Sequence, residues 1–276
     1  MDGAFYEPLG HGSYLATAAT AGPWSAEAQH GGPPSALAAR AIEAHQPDSR
    51  QRLARVAVDI LRPVPVGKVS VRTWTVRPGR RITLVEALME ADGQEVLHAR
   101  GWRIERPAGA VPEVPDAHRP VPVPEASYGP LPPIFERSQS GYLAAIEWRF
   151  LTGEDDCQGG GPGEAGLPGA RAGRAAWTRP RLPLLPGEDA SPMCRALLVA
   201  DSGSGVSAVL PAANFLFINV DLTVVLPRDP VGEWLLLESS TTVGPDGTGL
   251  ASTRLSDPGG TCGRGWQTLL VAPARS

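Results

Sequence analysis

The stretch of sequence that decides the fold runs from Gln29 to His45 and reads QHGGPPSALAARAIEAH. From Ser35 onward it is rich in alanine, the residue with the strongest helix propensity. Pro33 and Pro34 come directly before, in the first helical turn, where a backbone N–H has no partner within the helix and its absence costs nothing. The sequence therefore predicts a helix that begins beside a pair of glycines and a pair of prolines.

Four runs typical of β-strands follow this helix. Each is rich in apolar and β-branched residues, and the dipeptides Pro78-Gly79 and Asp92-Gly93 supply two of the turns between them. One helix followed by a mostly antiparallel sheet is an α+β layout. The predicted strands are Arg55–Val64, Lys68–Val76, Ile82–Glu90 and Glu95–Glu105.

The same order of elements recurs later in the chain. A helix is predicted from Ser191 to Asp201, with Pro192 in its first turn. It is preceded by one predicted strand and followed by four more. These strands are Gly141–Phe150, Phe215–Val225, Glu233–Val243, Thr248–Leu255 and Gly263–Val271.

Short sequence matches connect the two parts of the chain. Val58-Asp59-Ile60 corresponds to Val220-Asp221-Leu222, and Arg100-Gly101-Trp102 corresponds to Arg264-Gly265-Trp266 at nearly the same separation. Pro65-Val66-Gly67 and Pro78 have counterparts in Pro230-Val231-Gly232 and Pro245, in the same order. Matches in one order at one spacing predict a tandem duplication.

The predicted domains are residues 1–106 and 134–276, joined by a proline-rich linker at residues 107–133. Proline removes backbone donors and fixes φ, so we expect this linker to be extended. Within the second domain, residues 153–174 are rich in glycine and have no hydrophobic period, which is typical of a loop.

Composition narrows the class of protein. The chain has 276 residues, of which 42% are hydrophobic and 20% charged, and a net charge of −4 argues against nucleic acid as a main partner. No run approaches the roughly 18 apolar residues of a membrane span, and no secretory leader is recognisable. Three widely spaced cysteines, Cys157, Cys194 and Cys262, indicate neither a disulfide framework nor a metal site. We therefore expect a cytoplasmic protein without a metal or other cofactor.

Six short motifs carry a family resemblance, at residues 29–37, 58–63, 217–224, 232–234, 244–251 and 263–267. Together they resemble the double hot-dog relatives of the type II acyl-CoA thioesterases. The resemblance implies a fold of two hot dogs, each a long helix wrapped by an antiparallel sheet. It also implies hydrolysis of an acyl-CoA or acyl-carrier thioester to a free acid, and it leaves self-association into a homo-oligomer open.

The resemblance also implies a catalytic site. Enzymes of this class use an Asp, a Thr or Ser, and a Gln, all from the second hot dog, to hold and polarise a water that attacks the thioester carbonyl. The matching positions are Asp221 and Gln267, with the hydroxyl falling within Ser239-Ser240-Thr241-Thr242. A carboxylate can take a proton from water while a hydroxyl and an amide orient it by hydrogen bonds.

Strand parity favours Thr241 among these hydroxyls. Side chains alternate along a strand, so Thr241 and Gln267 each share a face with aliphatic neighbours, whereas Thr242 lies with a more solvated set. Asp221 alternates with Asn219 and Thr223, opposite an aliphatic face. It reaches the site only if the polar face meets a cleft between the halves, or if a bulge redirects it.

Residues at the start of the first helix are candidates for binding substrate. The backbone N–H groups of Gly31 and Gly32 could hold the oxyanion at a helix N-terminus, and those of the turn before Pro192 are the alternative. His30 could be a general base, a substrate contact or a structural cap, and these alternatives stay open. Thr242 is a further candidate contact with the substrate.

A comparison of the two copies locates the site. The first-half counterparts of Asp221 and Gln267 are Asp59 and Arg103, which we expect to form a structural ion pair. The neutral Gln267 leaves Asp221 free to act on water, so the second copy is predicted to hold the active site.

Two other functions stay open at this point. One is a hot-dog hydratase or dehydratase acting on enoyl thioesters, which commonly uses a His with an acid near the start of the helix. His30 is present, but no adjacent acid occurs at a matching position in the sequence. The other is an acyl-thioester-binding protein without turnover, since fold alone does not fix chemistry.

Overall fold

The computed structural model describes residues 3–109, 111–127, 140–151, 174–211 and 214–274. The alanine-rich stretch forms helix α1 (Gly32–Ala44), and its prolines lie in the first turn as predicted. Strands of the first half surround it in an antiparallel sheet. They are β1 (Tyr6–Gly10), β2 (Ser13–Ala16), β3 (Gln51–Ile60), β4 (Lys68–Arg77), β5 (Ile82–Ala91) and β6 (Gln94–Glu105).

The second half repeats a helix packed on a sheet. Its long helix is α3 (Pro192–Ala200), capped by the Ser191 hydroxyl, which accepts from the Cys194 N–H. The short helices α2 (Gly141–Ala145) and α4 (Gly203–Val206) lie before and after it. The strands are β7 (Ile146–Leu151), β8 (Arg174–Pro180), β9 (Phe215–Asn219), β10 (Asp221–Val225), β11 (Leu235–Val243), β12 (Thr248–Asp257) and β13 (Gly260–Pro273).

The predicted strand Gly141–Phe150 is wrong in its first half, which forms α2. Gly141 has a φ of +62°, a left-handed conformation that glycine adopts easily and that breaks an extended chain. Tyr142 and Leu143 are consecutive and both buried, so the alternation of a strand is absent there. Strands β1, β2 and β8 were not predicted. The glycine-rich segment at 153–173 lies outside the described residues.

All strands belong to one antiparallel sheet, ordered β1-β2-β4-β5-β6-β3-β10-β13-β12-β11-β8-β7, with β9 paired to β13. The two halves join where β3 pairs with β10. Asp59 lies opposite Asp221 there, and Val56 opposite Val224. The two stretches that match in sequence therefore face each other across the middle of the sheet.

The two long helices pack closely against each other. A Cβ at Gly32 would overlap the carbonyl oxygen of Leu198, so only glycine permits this approach. Leu37 and Ile42 of α1 join Leu197 and Val199 of α3 in one buried core. Burying each such aliphatic side chain contributes about 1.5–3 kcal/mol, so the packing fixes the start of α1 near the end of α3.

The described residues of the linker, 107–109 and 111–127, contain no helix or strand. The stretch 111–127 lies against the sheet of the second half. The indole N–H of Trp177 donates to the Val121 carbonyl over 3.0 Å. Asp116 pairs with Arg264 at 3.3 Å, and His118 lies 2.7 Å from Glu238. The helices pack on the opposite face of this sheet, so the linker covers its outer side.

The described residues bear on two kinds of partner, a membrane and a metal ion. None of their helices is both long and apolar enough to cross a membrane. No cluster of His, Cys, Asp and Glu side chains suited to a metal ion occurs within the same residues.

Candidate functional site

Asp201 lies immediately after α3, and its side chain is only 3% exposed. The Gln267 amide fixes this position, because its Nε2 donates to the Asp201 carbonyl over 2.8 Å and to carboxylate Oδ1 over 3.2 Å. The Oε1 of Gln267 accepts from the Ser204 N–H at the start of α4. The amide thus holds the turn between α3 and α4 and orients the carboxylate within it.

Two further side chains reach the Asp201 carboxylate from other elements. Asn219, at the end of β9, donates from Nδ2 to Oδ1 over 2.7 Å. His30, in the loop before α1, places Nδ1 3.1 Å from Oδ2. A buried carboxylate is costly unless hydrogen bonds satisfy it, and here Asn219 and Gln267 supply them.

Gly31 permits the contact between the two halves. A Cβ at this position would lie 2.8 and 2.9 Å from the two Asp201 carboxylate oxygens. The carboxylate therefore rests directly on the backbone at the start of α1, where the positive end of the helix dipole favours a negative charge.

His30 is held rigidly beside this carboxylate. Its ring stacks on Tyr142 with centroids 3.7 Å apart and planes 6° from parallel. The Tyr142 hydroxyl donates to the Leu198 carbonyl over 2.8 Å and lies 2.9 Å from the Ser202 hydroxyl. Burial lowers the pKa of His30 and Asp201 opposes that shift in part, so the imidazole is neutral near pH 7.

The tautomer of His30 follows from its hydrogen bond. Nδ1 accepts from the Gly32 N–H over 3.2 Å. In a neutral imidazole one nitrogen accepts and the other carries the proton, so the proton of His30 lies on Nε2. The Asp201 carboxylate, 3.1 Å from Nδ1, acts on the ring through its charge.

A cavity of about 650 Å³ borders this cluster. His30, Asp201 and Asn219 lie on its wall, while most of the remaining lining is apolar. Both halves contribute, because Ile60, Leu97 and Val64 come from the first, and Leu143, Phe217 and Val220 from the second. The cavity has the character of a site for an apolar chain with a few polar groups at one place.

The Asp221 carboxylate lies outside the cluster around Asp201. Asn219 pairs with Leu269, and Thr223 pairs with Trp266. Between these two pairs, the stretch that contains Asp221 has one more residue than the facing stretch of β13, so it forms a bulge. The bulge turns the Asp221 carboxylate onto the backbone, where Oδ1 accepts from the Thr268 N–H over 2.5 Å. Asp221 does not line the cavity. The structure brings Asp201, not Asp221, to Gln267.

Comparison with known proteins bears on this arrangement. A family model described as the acyl-CoA thioesterase N-terminal domain matches residues 20–104, and one described as the acyl-CoA thioesterase C-terminal domain matches residues 115–271. The chain belongs to the acyl-CoA thioesterase family. It is accordingly a thioester hydrolase. No curated protein sequence matches this thioesterase.

Solved structures agree with the fold of this thioesterase. A proposed thioesterase II from Thermobifida fusca YX has a TM-score of 0.71 at 17% identity, over 97% of this chain and 95% of that one. A hot-dog protein of unknown function from Alicyclobacillus acidocaldarius has a TM-score of 0.69 at 17% identity, over 98% and 96%. Acyl-CoA thioesterase II TesB2 from Mycobacterium marinum has a TM-score of 0.65 at 17% identity, over 98% and 96%. The fold is a hot-dog fold.

Strand parity correctly placed two of the expected thioesterase residues on one buried face. Thr241 pairs with Ala251, which pairs with Gln267, so the three lie in one row across neighbouring strands. Two strand spacings of about 4.8 Å separate Thr241 from Gln267. The Thr241 hydroxyl bonds instead to Ser207 over 2.7 Å. Thr242 is exposed on the opposite face of β11 and does not line the cavity.

The expected ion pair between Asp59 and Arg103 is wrong. Asp59 is exposed and lies opposite His98. Arg103 points inward, because alternation sends it to the other face, and its guanidinium donates to the carbonyls at the end of α1. These are the carbonyls of Ile42, His45 and Gln46.

Arg103 and Gln267 correspond in sequence, and in this thioesterase they also have the same structural role. Each holds the C-terminal end of the long helix in its own half. This equivalence is the signal that could have located Asp201, because the helix predicted from Ser191 ends at that residue. Tyr142 gave no such signal, since its segment was predicted to be a strand.

Proposed function

We propose that this thioesterase hydrolyses acyl-CoA, or a related acyl-carrier thioester, at the wall of the cavity where Asp201 lies. The single observation that carries the proposal is a buried, hydrogen-bonded carboxylate at the border of a largely apolar cavity. An acyl chain would occupy the apolar part and bring its thioester carbonyl to the polar wall.

In this proposal the negative charge of Asp201 makes the site basic enough to draw a proton from water. Asn219 and Gln267 are positioning residues, because both donate to Oδ1 and fix the orientation of the carboxylate. Gln267 thus keeps a role in the site, and Asp201 takes the role that sequence analysis gave to Asp221. Thr241 contributes through Ser207, whose hydroxyl also donates to the Gly203 carbonyl of α4.

The oxyanion would be bound by the backbone at the start of α1. Gly31 lines the cavity, and its N–H lies at the positive end of the helix dipole. A thioester needs less activation than an amide, so water can attack directly and no covalent nucleophile is required. Cys194 is buried against α1, and burial raises the pKa of its thiol, which suits a structural role.

The test is thiol release from acyl-CoAs of several chain lengths, followed with a thiol reagent. We expect Asp201→Asn to lower kcat by roughly 100-fold or more, as for loss of a group that moves a proton. Asp221→Asn is the matched control, and its kcat should stay within a few-fold of wild type, because the Asp221 carboxylate accepts a hydrogen bond from the Thr268 N–H. No thiol release by wild type across the panel, with a positive control working, contradicts the proposal.

One observation favours a second candidate. The sequence has no acid adjacent to His30. Asp201 lies 3.1 Å from it in the structure, which supplies the His and acid pair of a hot-dog hydratase. Incubation with enoyl-CoA distinguishes the two reactions. Loss of the conjugated double bond without thiol release indicates hydration, and thiol release indicates hydrolysis.

Four broader points belong to the same proposal. The halves are tandem hot-dog repeats, supported by the pairing of Asp59 with Asp221 at their junction. A place in lipid metabolism is supported by the match to the acyl-CoA thioesterase domain models. A place in the cytoplasm is supported by the free, buried thiols of Cys194 and Cys262. Self-association belongs to the same proposal, and light scattering of the purified protein measures it.

A further inference from the structure

We propose that the imidazole of His30 donates a hydrogen bond from Nε2 to the thioester oxygen as that oxygen becomes an oxyanion. The inference rests on the proposed function and adds a named catalytic residue to it. Asp201, from the second half of the chain, keeps the role of drawing a proton from water. His30, from the first half, binds the charge that develops on the substrate.

The start of α1 offers few backbone donors to a substrate. Pro33 and Pro34 have no N–H, and the Gly32 N–H donates to His30 Nδ1 over 3.2 Å. The Ser35 N–H donates to the Gly31 carbonyl. This turn therefore leaves the N–H of Gly31 for the substrate, whereas an oxyanion is stabilised best by several preorganised donors.

The geometry of His30 provides a further donor at the same place. Because Nδ1 accepts from Gly32, the proton of the neutral ring lies on Nε2. Within the described part of the chain, Nε2 has no hydrogen-bond partner, and protein atoms do not enclose it. His30 lines the cavity, so its Nε2–H faces the space that a substrate would occupy.

The amides that contact Asp201 cannot take this role. Asn219 donates from Nδ2 to Asp201 Oδ1 over 2.7 Å and to the Asp221 carbonyl over 3.4 Å. Gln267 donates from Nε2 to the Asp201 carbonyl and to Oδ1. An amide nitrogen carries two hydrogens, so both amides are fully used. His30 differs from them because its donor is not engaged by the protein.

The imidazole is also held in place before the substrate arrives. Tyr142 stacks on its ring with centroids 3.7 Å apart, and the Tyr142 hydroxyl is bound to the Leu198 carbonyl and the Ser202 hydroxyl. A donor that is already oriented costs no reorganisation during the reaction. Burial lowers the pKa of His30, so the ring donates as a neutral group and does not neutralise the nearby Asp201 carboxylate.

The reaction balances without another reagent. A water O–H bond breaks as its proton moves to the Asp201 carboxylate, and the water oxygen bonds to the thioester carbon. The carbonyl oxygen becomes the oxyanion and accepts hydrogen bonds from His30 Nε2 and the Gly31 N–H. The carbonyl then reforms as the C–S bond breaks, and the leaving sulfur takes the proton from Asp201. The products are a carboxylic acid and a thiol, and His30 keeps its proton throughout.

Replacement of His30 by Phe tests the donor. Phe keeps a planar ring against Tyr142 but has no N–H, so kcat should fall by roughly 100- to 1000-fold, the effect of losing one oxyanion donor. KM should change little, because the donor binds the oxyanion more strongly than the ground-state carbonyl. His98→Phe is the matched control. His98 stacks on Trp74 outside the cavity, so this variant should stay within a few-fold of wild type.

Two polar variants separate the donor from the bond to Gly32. The amide N–H of His30→Gln has a reach similar to that of Nε2, so kcat should recover at least about tenfold relative to His30→Phe. The amide oxygen of His30→Asn can accept from the Gly32 N–H, but this shorter side chain does not reach the position of Nε2. Its kcat should therefore be as low as that of His30→Phe. Thermal unfolding checks that each variant is folded.

Infrared spectroscopy measures the hydrogen bond to the carbonyl directly. Hydrolysis should be slow in Asp201→Asn, so an acyl-CoA labelled at its carbonyl carbon can be observed while bound. A hydrogen bond to the carbonyl oxygen lowers the C=O stretching frequency. The band should therefore lie at a lower frequency in Asp201→Asn than in the double variant Asp201→Asn/His30→Phe. A role of His30 in stability alone would leave the band unchanged.

The outcomes separate the inference from the function beneath it. No thiol release by wild type overturns the proposed function. Thiol release by wild type that stays within a few-fold in both His30→Phe and His30→Asn overturns the role of His30 alone. An identical carbonyl band in Asp201→Asn and the double variant also overturns it, because His30 then makes no hydrogen bond to the thioester.

Discussion

At the scale of single residues, the space around two glycines decides whether the site exists. Gly32 has no room for a Cβ because of the Leu198 carbonyl, and Gly31 has none because of the Asp201 carboxylate. The first contact sets the distance between helices, whereas the second sets the place of a charged group. A methyl group at these neighbouring positions should therefore have different consequences.

Gly31→Ala should reduce activity more than stability. The added methyl would lie 2.8 Å from a carboxylate oxygen, so Asp201 must move away from His30. We expect kcat to fall at least about tenfold, since small misplacements of catalytic groups are costly. Thiol release and thermal unfolding, measured together, check this. Gly32→Ala should mainly lower the melting temperature, and equal loss of stability in both variants would contradict the distinction.

At the scale of elements, side chains from the last strand of each half anchor the end of a long helix. Arg103 on β6 reaches the final carbonyls of α1, and Gln267 on β13 reaches the carbonyl of Asp201 after α3. Helix ends leave carbonyls without intrahelical partners, and buried carbonyls need donors. The same structural need is met by a charged donor in one half and a neutral one in the other.

Arg103→Met should destabilise the protein by at least about 3 kcal/mol, because buried hydrogen bonds from a charged group are each worth about 1.5–3 kcal/mol and Arg103 makes three of them. Arg103 is 5% exposed, and the carbonyls that accept its hydrogen bonds would be left without a partner. Urea unfolding measures the effect. Arg50→Met, which removes a solvent-exposed arginine paired with Asp48, is the control and should not change the midpoint.

A second element-scale prediction concerns the turn between β12 and β13. Asp257 is 1% exposed at its side chain and binds both Nη atoms of Arg228, at 2.5 and 2.8 Å. Burial opposes ionisation, but these bonds and the N–H groups of Val231 and Gly259 outweigh it and lower the pKa of Asp257. Its ionised form is therefore bound more strongly in the folded state.

Asp257→Asn should cost about 3 kcal/mol at pH 7, since breaking a buried ion pair leaves the arginine without its partner. A lowered folded-state pKa gives stability above the unfolded value of about 3.9 that is lost as pH falls through the folded value. The difference between wild type and variant should thus shrink below about pH 4. Urea unfolding from pH 3 to 7 checks this, and an unchanged difference at low pH would contradict it. Asp246→Asn, in an exposed turn, is the control.

At the scale of the whole molecule, the cavity lies between the halves and ends at the cluster of His30 and Asp201. Its apolar walls come from strands and loops of both halves, so neither half encloses it alone. The length of acyl chain that fits is thus set by how the halves meet. A change in the volume of the wall should alter substrate selection without altering the chemistry.

Ala208→Leu should shift the preference toward shorter acyl chains. Ala208 lines the cavity, and a larger side chain there takes space that a long chain would use. We expect kcat/KM to fall at least about tenfold for the longest acyl-CoA that wild type accepts and to change little for the shortest. Ala108→Leu, at an exposed position, is the matched control. A uniform fall across all chain lengths would indicate that Ala208 does not border the acyl chain.

The sequence by itself determined what depends on local patterns. The start of α1 followed from Gly31 to Pro34, and the shared buried face of Thr241 and Gln267 followed from alternation. The order of most strands and the resemblance to acyl-CoA thioesterases followed from turn residues and short motifs. These features can be predicted from the sequence because backbone periodicity and turn chemistry depend on only a few neighbouring residues.

Only the tertiary structure decided which acid meets Gln267 and which histidine lies beside that acid. Asp221 was directed away by a single-residue bulge, and its pairing partner, the Thr268 N–H, is not adjacent in sequence. Asp201 meets His30 because α1 and α3 pack closely at a glycine. Neither segment has a sequence pattern that indicates contact with the other. Close packing brings distant residues together, so the site became visible only when the two helices were in place.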